Sequence, residues 1–112
     1  MEDCAVRAVA KALNISWREA YLEIVAQGLE DGDMMHSNAV WGNVLANHGF
    51  KRFVVPNYCP DCYTAADFVE DHPQGIFVLA FGGHTATAKD GILYDSWDSS
   101  SLVPQYYWYR RY

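Results

Sequence analysis

One segment towards the C-terminal end constrains the fold more than any other, because an unbroken apolar run leads there into a tight hairpin. The run Ile76–Phe81 has the length and composition of a buried strand. His84–Lys89 shows the alternation of a strand, and Asp90-Gly91 is a strong two-residue hairpin turn before Ile92–Tyr94. We therefore predict three consecutive antiparallel strands over residues 76–94.

The N-terminal part of the chain has helical spacing. Small apolar residues predict a buried helix over Cys4–Leu13, with Asp3 as its N-cap and Asn14 at its end. The tetrapeptide Ser16-Trp17-Arg18-Glu19 is a capping box that starts a second helix. We expect this second helix to stop at Gly28.

The rest of the chain completes the predicted fold. A third helix is predicted from Ser37 or Asn38 to His48, closed by Gly49, and a strand follows over residues 50–55. A short helix is then capped by Thr64 and ended by His72-Pro73, and a last strand covers residues 105–109. Helices that precede mostly antiparallel strands are typical of the α+β class. We predict a single domain over residues 1–112, with N-terminal helices packed on a small sheet.

Composition excludes several classes of function. The 112 residues suffice for one domain, and 51% apolar with 20% charged residues is incompatible with a disordered chain. A net charge of −6 without a basic stripe argues against nucleic-acid binding. No apolar run approaches the roughly 20 residues that span a bilayer, and Met1-Glu2-Asp3 lacks the positive charge of a signal-peptide start. We expect a soluble, cytoplasmic protein without a membrane partner.

Three residues have the side chains required for nucleophilic catalysis by a thiol. Cys4 stands at a predicted helix N-terminus, where free amides and the helix dipole stabilise a thiolate. His84 and Asp95 lie on or beside adjacent strands, where an imidazole takes the thiol proton and a carboxylate orients the ring. Asp98 competes with Asp95 for the orienting role. Taken alone, these residue types favour a plainer interpretation, in which they are a small buried thiol, a hydrogen-bonded strand histidine and a turn residue.

A resemblance gives the catalytic interpretation more weight. The chain has an N-terminal Asp-Cys-Ala-Val-Arg-Ala, then Thr64…Phe68…His72-Pro73-x-Gly75-x-Phe77-Val78, and finally Gly83-His84…Asp90-Gly91…Tyr94-Asp95-x-Trp97-Asp98-Ser99. This pattern resembles a family of small bacterial and bacteriophage proteins assigned to the papain-like cysteine peptidase superfamily. The resemblance implies a papain-like fold with Cys4 as nucleophile, His84 as general base and Asp95 as orienting residue. The resemblance does not specify a substrate. From the proposed chemistry we expect a peptide or protein substrate, and we expect no cofactor or metal.

The chain departs from the papain-like pattern at one position. Such peptidases place a glutamine a few residues before the cysteine, where its amide joins the oxyanion hole. Here only Met1, Glu2 and Asp3 precede Cys4. Three explanations stay open: the chain begins further upstream, another donor replaces the glutamine, or the oxyanion hole is incomplete.

A second cysteine motif, Cys59-Pro60-Asp61-Cys62, follows a predicted strand and precedes a helix. This is the placement of a redox dithiol, although the rest of a thioredoxin pattern is missing. As half of a zinc site it lacks two further ligands at suitable spacing. We regard it as a structural loop that a reversible disulfide could close, and the odd number of three cysteines favours reduced thiols.

The remaining candidates have simpler predicted roles. Trp97 is expected to cover the sheet edge rather than to shield the His84–Asp95 pair. His36 and His48 have no carboxylate near them in the sequence and are assigned no chemistry, and His72 suits a helix C-terminus.

Three functional hypotheses follow. The first is hydrolysis of an amide or isopeptide bond by a Cys4–His84–Asp95 triad. The second is a weakly active or inactive interaction module of phage origin that keeps the fold and binds a host protein. The third is a dithiol redox protein that uses Cys59 and Cys62.

Overall fold

A computed structural model describes residues 3–34, 37–55 and 63–112 of the chain. Within these ranges the fold is α+β, as predicted. The helices are α1 (Cys4–Leu13), α2 (Trp17–Asp31), α3 (Asn38–Asn47) and α4 (Ala65–Asp71), and the strands are β1 (Lys51–Val54), β2 (Ile76–Phe81), β3 (His84–Lys89), β4 (Ile92–Tyr94) and β5 (Tyr106–Arg110). Residue His36 and the segment that contains Cys59 and Cys62 lie outside the described residues.

The five strands form one antiparallel sheet in the order β1-β5-β2-β3-β4. β2 is the central strand, and all six of its residues are buried. The apolar run therefore has the position that was predicted for it. Its hairpin partners also pair as expected, with Phe81 opposite His84 and Thr87 opposite Tyr94.

The two faces of the sheet pack against different helices. Along β2, Ile76, Val78 and Ala80 join the apolar cluster formed with α1, α2 and α3. The alternate residues Phe77, Leu79 and Phe81 join a second cluster that contains Ala65 and Phe68 of α4. Because successive strand residues point to opposite faces, a run with apolar residues at every position needs a cover on both sides.

Helix α1 lies against β3 and is tied to it by a buried hydrogen bond. The Thr87 hydroxyl donates to the backbone carbonyl of Ala8 over 2.7 Å. Thr87 is fully buried, so this bond satisfies a hydroxyl that has no access to water. The alternate β3 residues Ala86 and Ala88 belong to the cluster on the α4 face. Strand alternation thus places Thr85 and Thr87 towards α1, and His84 on the α4 side of the sheet.

Several predicted signals at element ends are confirmed. The capping boxes at Ser16 and Thr64 are both complete, with reciprocal side-chain and backbone hydrogen bonds. Asn14 ends α1 in the left-handed conformation with φ of 56°. At the hairpin turn Asp90 and Gly91 have φ values of 50° and 80°. These positive angles are what a two-residue hairpin turn requires.

Two predicted details are wrong. Helix α2 does not stop at Gly28, which is buried inside it, but continues to Asp31 and ends at Gly32 with φ of 67°. Two side chains of α3 hold its last turn: Asn43 donates a hydrogen bond to Asp31, and Asn47 donates one to Gln27. Helix propensity takes no account of such contacts between elements. The Asp3 side chain precedes α1 as expected, but it does not cap the helix.

None of the helices in the described ranges is long and apolar enough to cross a membrane.

Candidate active site

His84 and Asp95 form a direct, largely buried pair. His84 is the first residue of β3, and Asp95 follows the last residue of β4, so the hairpin brings them to the same end of the sheet. The Nε2 atom of His84 lies 2.5 Å from Asp95 Oδ2. Only 12% of the His84 side chain and 6% of the Asp95 side chain are exposed. The structure therefore brings together two of the three predicted catalytic residues.

Asp95 is held by two further donors. The Ser99 hydroxyl donates to Oδ2 over 2.7 Å, and the backbone N–H of Ser96 donates to Oδ1 over 2.7 Å. Burial by itself raises the pKa of Asp95, but the hydrogen bonds from His84, Ser99 and Ser96, with the charge attraction of His84, outweigh burial and lower that pKa. Asp95 is thus kept ionised beside the imidazole.

Asp98, the competing candidate, is separate from this pair. Its carboxylate is exposed and accepts a hydrogen bond of 3.0 Å from the backbone N–H of Ser100. Hydrogen bonding from the side chain of Ser100 and then from its backbone lowers the pKa of Asp98. Asp95, and not Asp98, is the partner of His84.

Two aromatic rings flank the imidazole. The ring centroid of Trp97 lies 4.6 Å from that of His84, and the ring of Phe81 stacks at 6.0 Å. Trp97 is 51% exposed, so its ring contacts His84 from the solvent side. Trp97 therefore contacts the imidazole, and the expectation that it covers the sheet edge stays a prediction. An aromatic ring against an imidazole restricts its rotation and limits access of water to the His84–Asp95 hydrogen bond.

The register of α1 along the hairpin locates Cys4. Lys11 Nζ lies 3.9 Å from the centroid of the Tyr94 ring, and Arg7 Nη2 donates to Ser96 Oγ over 3.1 Å. The direction of α1 is therefore opposite to the chain direction from Tyr94 to Ser96, which continues that of β4. Strand β4 is in turn antiparallel to β3. Helix α1 therefore runs parallel to β3, and Cys4, one turn before Arg7, lies at the end of the sheet where β3 begins.

A cavity of about 220 Å³ lies between α1 and the β3–β4 hairpin, and we call it the α1 groove. It is lined by Cys4, Arg7, Ala8, Lys11, Thr85, Ala86, Tyr94, Asp95 and Ser96. Cys4 stands at its one end and Lys11, two helical turns away, at its other end. The half-buried thiol thus has access to a concave surface that Asp95 also lines.

Cys4 is close to the histidine–aspartate pair in the fold but is not joined to it. Within the part of the chain that the structure describes, Cys4 makes no hydrogen bond to His84. Strand alternation explains the separation, because α1 packs on the face of Thr85 and Thr87 whereas His84 projects on the other side of β3. A thiol activated by His84 requires the Cys4 sulfur to lie within about 4 Å of a His84 ring nitrogen, and this contact is a prediction.

Two side chains, those of Trp17 and Arg7, contact the Asp3 carboxylate at the start of α1. The Asp3 carboxylate accepts from Trp17 Nε1 over 2.9 Å and pairs with Arg7 at 2.7 Å. Because these contacts occupy it, the carboxylate does not accept from the amides of the first turn of α1. Those amides remain available to a negative charge beside Cys4.

The sequence did not indicate Ser96, Ser99 or Arg7 as site residues. The serines belong to a short polar segment after β4, where serine and aspartate are expected simply as turn formers. Their contacts with Asp95 depend on how that segment folds back towards β3. The only local signal was the position of Ser99 four residues after Asp95, which is compatible with a side-chain contact in a tight loop.

The other histidines in the described ranges make ordinary contacts. His48 pairs with Glu23 at 2.7 Å on the surface, a partner 25 residues away that sequence proximity did not reveal. The His72 ring stacks on Phe68 at 4.0 Å and bonds the Phe68 carbonyl through Nδ1. Among the described residues no group of three or more histidine, cysteine or acidic side chains could hold a metal ion.

Comparisons of this chain with protein-family models, with curated proteins and with solved structures give no match.

Proposed function

We propose that this protein is a cysteine-dependent hydrolase of the papain-like type, which cleaves an amide or isopeptide bond of a peptide or protein substrate. The observation that carries the proposal is the buried hydrogen bond between His84 and Asp95, at the end of the sheet where Cys4 opens the α1 groove. Asp95 holds Nε2 of the ring, and therefore Nδ1 is the nitrogen that exchanges protons.

In the first half of the reaction, the Cys4 thiol transfers its proton to His84 Nδ1. The resulting thiolate attacks the substrate carbonyl carbon, and the carbonyl electrons move onto oxygen to form a tetrahedral oxyanion. When the oxyanion collapses, the carbon–nitrogen bond breaks and the imidazolium gives its proton to the departing amine. Cys4 is left as a thioester with the acyl part of the substrate.

In the second half, His84 accepts a proton from a water molecule that attacks the thioester. Collapse of the second oxyanion breaks the carbon–sulfur bond, the thiolate regains the proton from His84, and a carboxylic acid is released. Asp95 remains ionised throughout and stabilises the imidazolium that forms in each half. Its lowered pKa supports this role.

In this proposal the first turn of α1 supplies donors to the oxyanion hole. Among the described residues no carboxylate caps the amides of that turn, since Asp3 is engaged by Trp17 and Arg7. Backbone N–H groups at a helix N-terminus are suitable donors to an oxyanion.

The proposal requires the Cys4 side chain to reach His84 Nδ1 around the start of β3. One observation favours the alternative of a non-catalytic binding module: Cys4 and His84 are not hydrogen-bonded and lie towards opposite faces of the strand. The two functions differ in the chemistry of the thiol. An enzyme needs a thiol activated by His84, whereas a binding module does not.

The test is the pH dependence of alkylation by iodoacetamide at each cysteine, measured by peptide mass spectrometry. We compare the native chain with His84→Ala and with His48→Ala, a matched control on the surface. We expect Cys4 to react at about pH 6 at least roughly tenfold faster than the same cysteine in denaturant, because a histidine-paired thiol is ionised where a free thiol is not. The advantage disappears in His84→Ala and persists in His48→Ala.

Equal rates for Cys4 in the native and His84→Ala proteins would overturn the proposal. If Cys59 or Cys62 were instead the cysteine that reacts fast at low pH, the dithiol hypothesis would replace it. A positive result is followed by trapping of the thioester with a peptide ester, seen as a mass increase on Cys4 that His84→Ala lacks.

A further inference from the structure

We infer that the α1 groove binds a carboxylate of the substrate, with Lys11 as the residue that selects it. This inference rests on the proposed function, because it places the carboxylate beside a bond attacked by Cys4. It adds the chemical class of the substrate, which neither the triad nor the resemblance specifies.

Two cationic side chains line the groove. The chain has a net charge of −6 and only eight lysines and arginines, yet two of those eight, Arg7 and Lys11, line this one groove. They lie four residues apart and therefore on one side of α1. An anionic substrate that the whole protein repels meets the opposite sign at this surface.

The two cations are not equivalent. Arg7 is neutralised by Asp3 at 2.7 Å and also donates to Ser96, so it is part of the wall. Lys11 makes no ion pair with any carboxylate in the described ranges, and its ammonium lies over the Tyr94 ring at 3.9 Å. The aromatic face positions the charge without cancelling it. Lys11 is thus the uncompensated cation of the groove.

The acidic side chain that lines the groove does not compete for Lys11. Asp95 accepts hydrogen bonds from His84, Ser99 and Ser96, and only 6% of its side chain is exposed. Its charge faces the imidazole that forms the catalytic pair. Asp95 therefore leaves Lys11 available to a carboxylate of a ligand.

The size and length of the groove match a single acidic group next to the reacting bond. A cavity of about 220 Å³ is smaller than the roughly 300–1,000 Å³ of pockets that enclose a whole drug-sized ligand. Cys4 and Lys11 are seven residues apart on α1, which corresponds to about 10 Å at 1.5 Å per residue. A carboxylate one or two residues from the scissile bond spans such a distance.

The carboxylate has two possible sources, an acidic side chain or a free C-terminus. Three maleimides separate them: maleimidopropionyl-Glu amide carries a side-chain carboxylate, maleimidopropionyl-Gln acid carries a terminal one, and maleimidopropionyl-Gln amide carries neither. Each reagent adds the thiol across its double bond, so one carbon–sulfur bond forms and the thiol proton moves to the neighbouring carbon. No oxidant or other reactant is needed.

The experiment measures the labelling rate of Cys4 with each maleimide, by peptide mass spectrometry, in the full chain at about 10 mM salt, where the Debye length is about 30 Å. We expect at least one acidic reagent to label Cys4 roughly threefold or more faster than the neutral one, and the advantage to vanish near 1 M salt. The faster acidic reagent identifies the source, and equal acceleration by both identifies a site for any carboxylate.

Variants assign the effect to Lys11. Lys11→Glu is expected to abolish or reverse the preference, and Lys11→Arg to keep it. Lys51→Glu makes the same charge change on β1, at the opposite edge of the sheet, and is expected to leave the preference intact. Thermal unfolding of each variant shows whether it is folded. If Lys11→Glu does not fold, the labelling preference is still measured in Lys11→Arg.

The inference is overturned if neither acidic reagent exceeds the neutral one, if Cys4 is not labelled in the folded protein, or if Lys51→Glu reduces the preference as much as Lys11→Glu does. Its failure is distinguishable from failure of the triad, because a ratio of rates at Cys4 cancels the reactivity of the thiol. The same ratio in His84→Ala is expected to stay above one and to depend on Lys11, whether or not His84 activates the cysteine.

Discussion

Asp95 is the residue on which the geometry of the candidate site depends. Three donors converge on a carboxylate that is almost fully covered, and each of them belongs to the hairpin or to the segment that follows it. A buried charge with this number of hydrogen bonds is stable only while all of its partners are present. Removing the charge should therefore affect both the stability and the orientation of His84.

We predict that Asp95→Asn lowers the free energy of unfolding at about pH 7 by roughly 1–3 kcal/mol, because the lost contacts are hydrogen bonds to a buried charge. The pKa of Asp95 is lower in the folded than in the unfolded protein. Its ionised form hence stabilises the fold above the unfolded pKa of about 3.9, and this contribution is lost as the pH falls through the folded pKa.

The measurement for Asp95 is urea unfolding of the native protein and Asp95→Asn between about pH 7 and pH 3. The difference between the two proteins is expected to be constant down to about pH 5 and to shrink below pH 4. Asp98→Asn is the matched control, since its exposed carboxylate accepts only from Ser100, and we expect a smaller change. A difference that does not depend on pH would contradict the role given to the Asp95 charge.

At the residue scale, the hairpin could be predicted but its loop contacts could not. The alternation of His84–Lys89 and the Asp90-Gly91 turn are local signals, and they correctly placed His84 beside the residue that follows β4. Whether Trp97 contacts the imidazole or the sheet edge depends on how several turn residues fold back. Turn-forming residues are compatible with many loop paths, so the sequence alone could not decide between these two contacts.

At the scale of elements, the ends of α2 show how a tertiary contact extends a helix. The capping box at its start was predicted from four residues. The predicted end was wrong because Gly28, of a residue type that usually ends helices, lies inside α2. Hydrogen bonds from α3 stabilise the last turn, which follows Gly28. Glycine inside a helix costs only about 1 kcal/mol, which a few contacts of this kind offset.

We predict that Gly32→Ala destabilises the protein by about 1 kcal/mol, whereas Gly32→Asn has a smaller effect. Gly32 has φ of 67°, and no atom lies within 4 Å of the position that a side chain would occupy, so the cost comes from backbone conformation and not from a clash. Asparagine adopts left-handed angles more readily than alanine does. Chemical denaturation of the two variants measures the difference, and equal stability of both would contradict this account of the helix end.

At the scale of the whole molecule, the sheet separates two apolar clusters, and the candidate site lies where the helical layer meets the end of the sheet. Helix α3 packs on the sheet so closely that Gly42 faces the indole of Trp108 on β5. A methyl group built on Gly42 would lie 2.8 Å from Trp108 Cζ2. This distance is shorter than a van der Waals contact, so the layers fit only because residue 42 has no side chain.

We predict that Gly42→Ala destabilises the protein, although alanine is the better helix former by about 1 kcal/mol. Overpacking against the rigid indole of Trp108 costs roughly 1–3 kcal/mol and outweighs the gain in helix propensity. Ala46→Gly, at an exposed position of the same helix, measures the propensity effect alone. Thermal unfolding that showed Gly42→Ala to be more stable than the native protein would contradict the close packing of α3 on β5.

The sequence by itself determined those features that depend on residues within a few positions of each other. The helix starts at Ser16 and Thr64, the buried strand Ile76–Phe81 and the turn at Asp90-Gly91 belong to this group. In each of them the hydrogen bonds or the side-chain alternation are local, so no knowledge of the rest of the fold was needed. They were sufficient to assign the chain to the α+β class.

Only the tertiary structure decided how distant residues meet. It placed Lys11 over Tyr94, Arg7 against Ser96 and the buried hydroxyl of Thr87 against α1, and these contacts fix where Cys4 stands relative to His84. The face on which α1 packs cannot be read from either segment, because both faces of β2 are apolar and each of them can accept a helix. Local patterns specify the elements, whereas the position of Cys4 relative to His84 depends on packing between elements eighty residues apart.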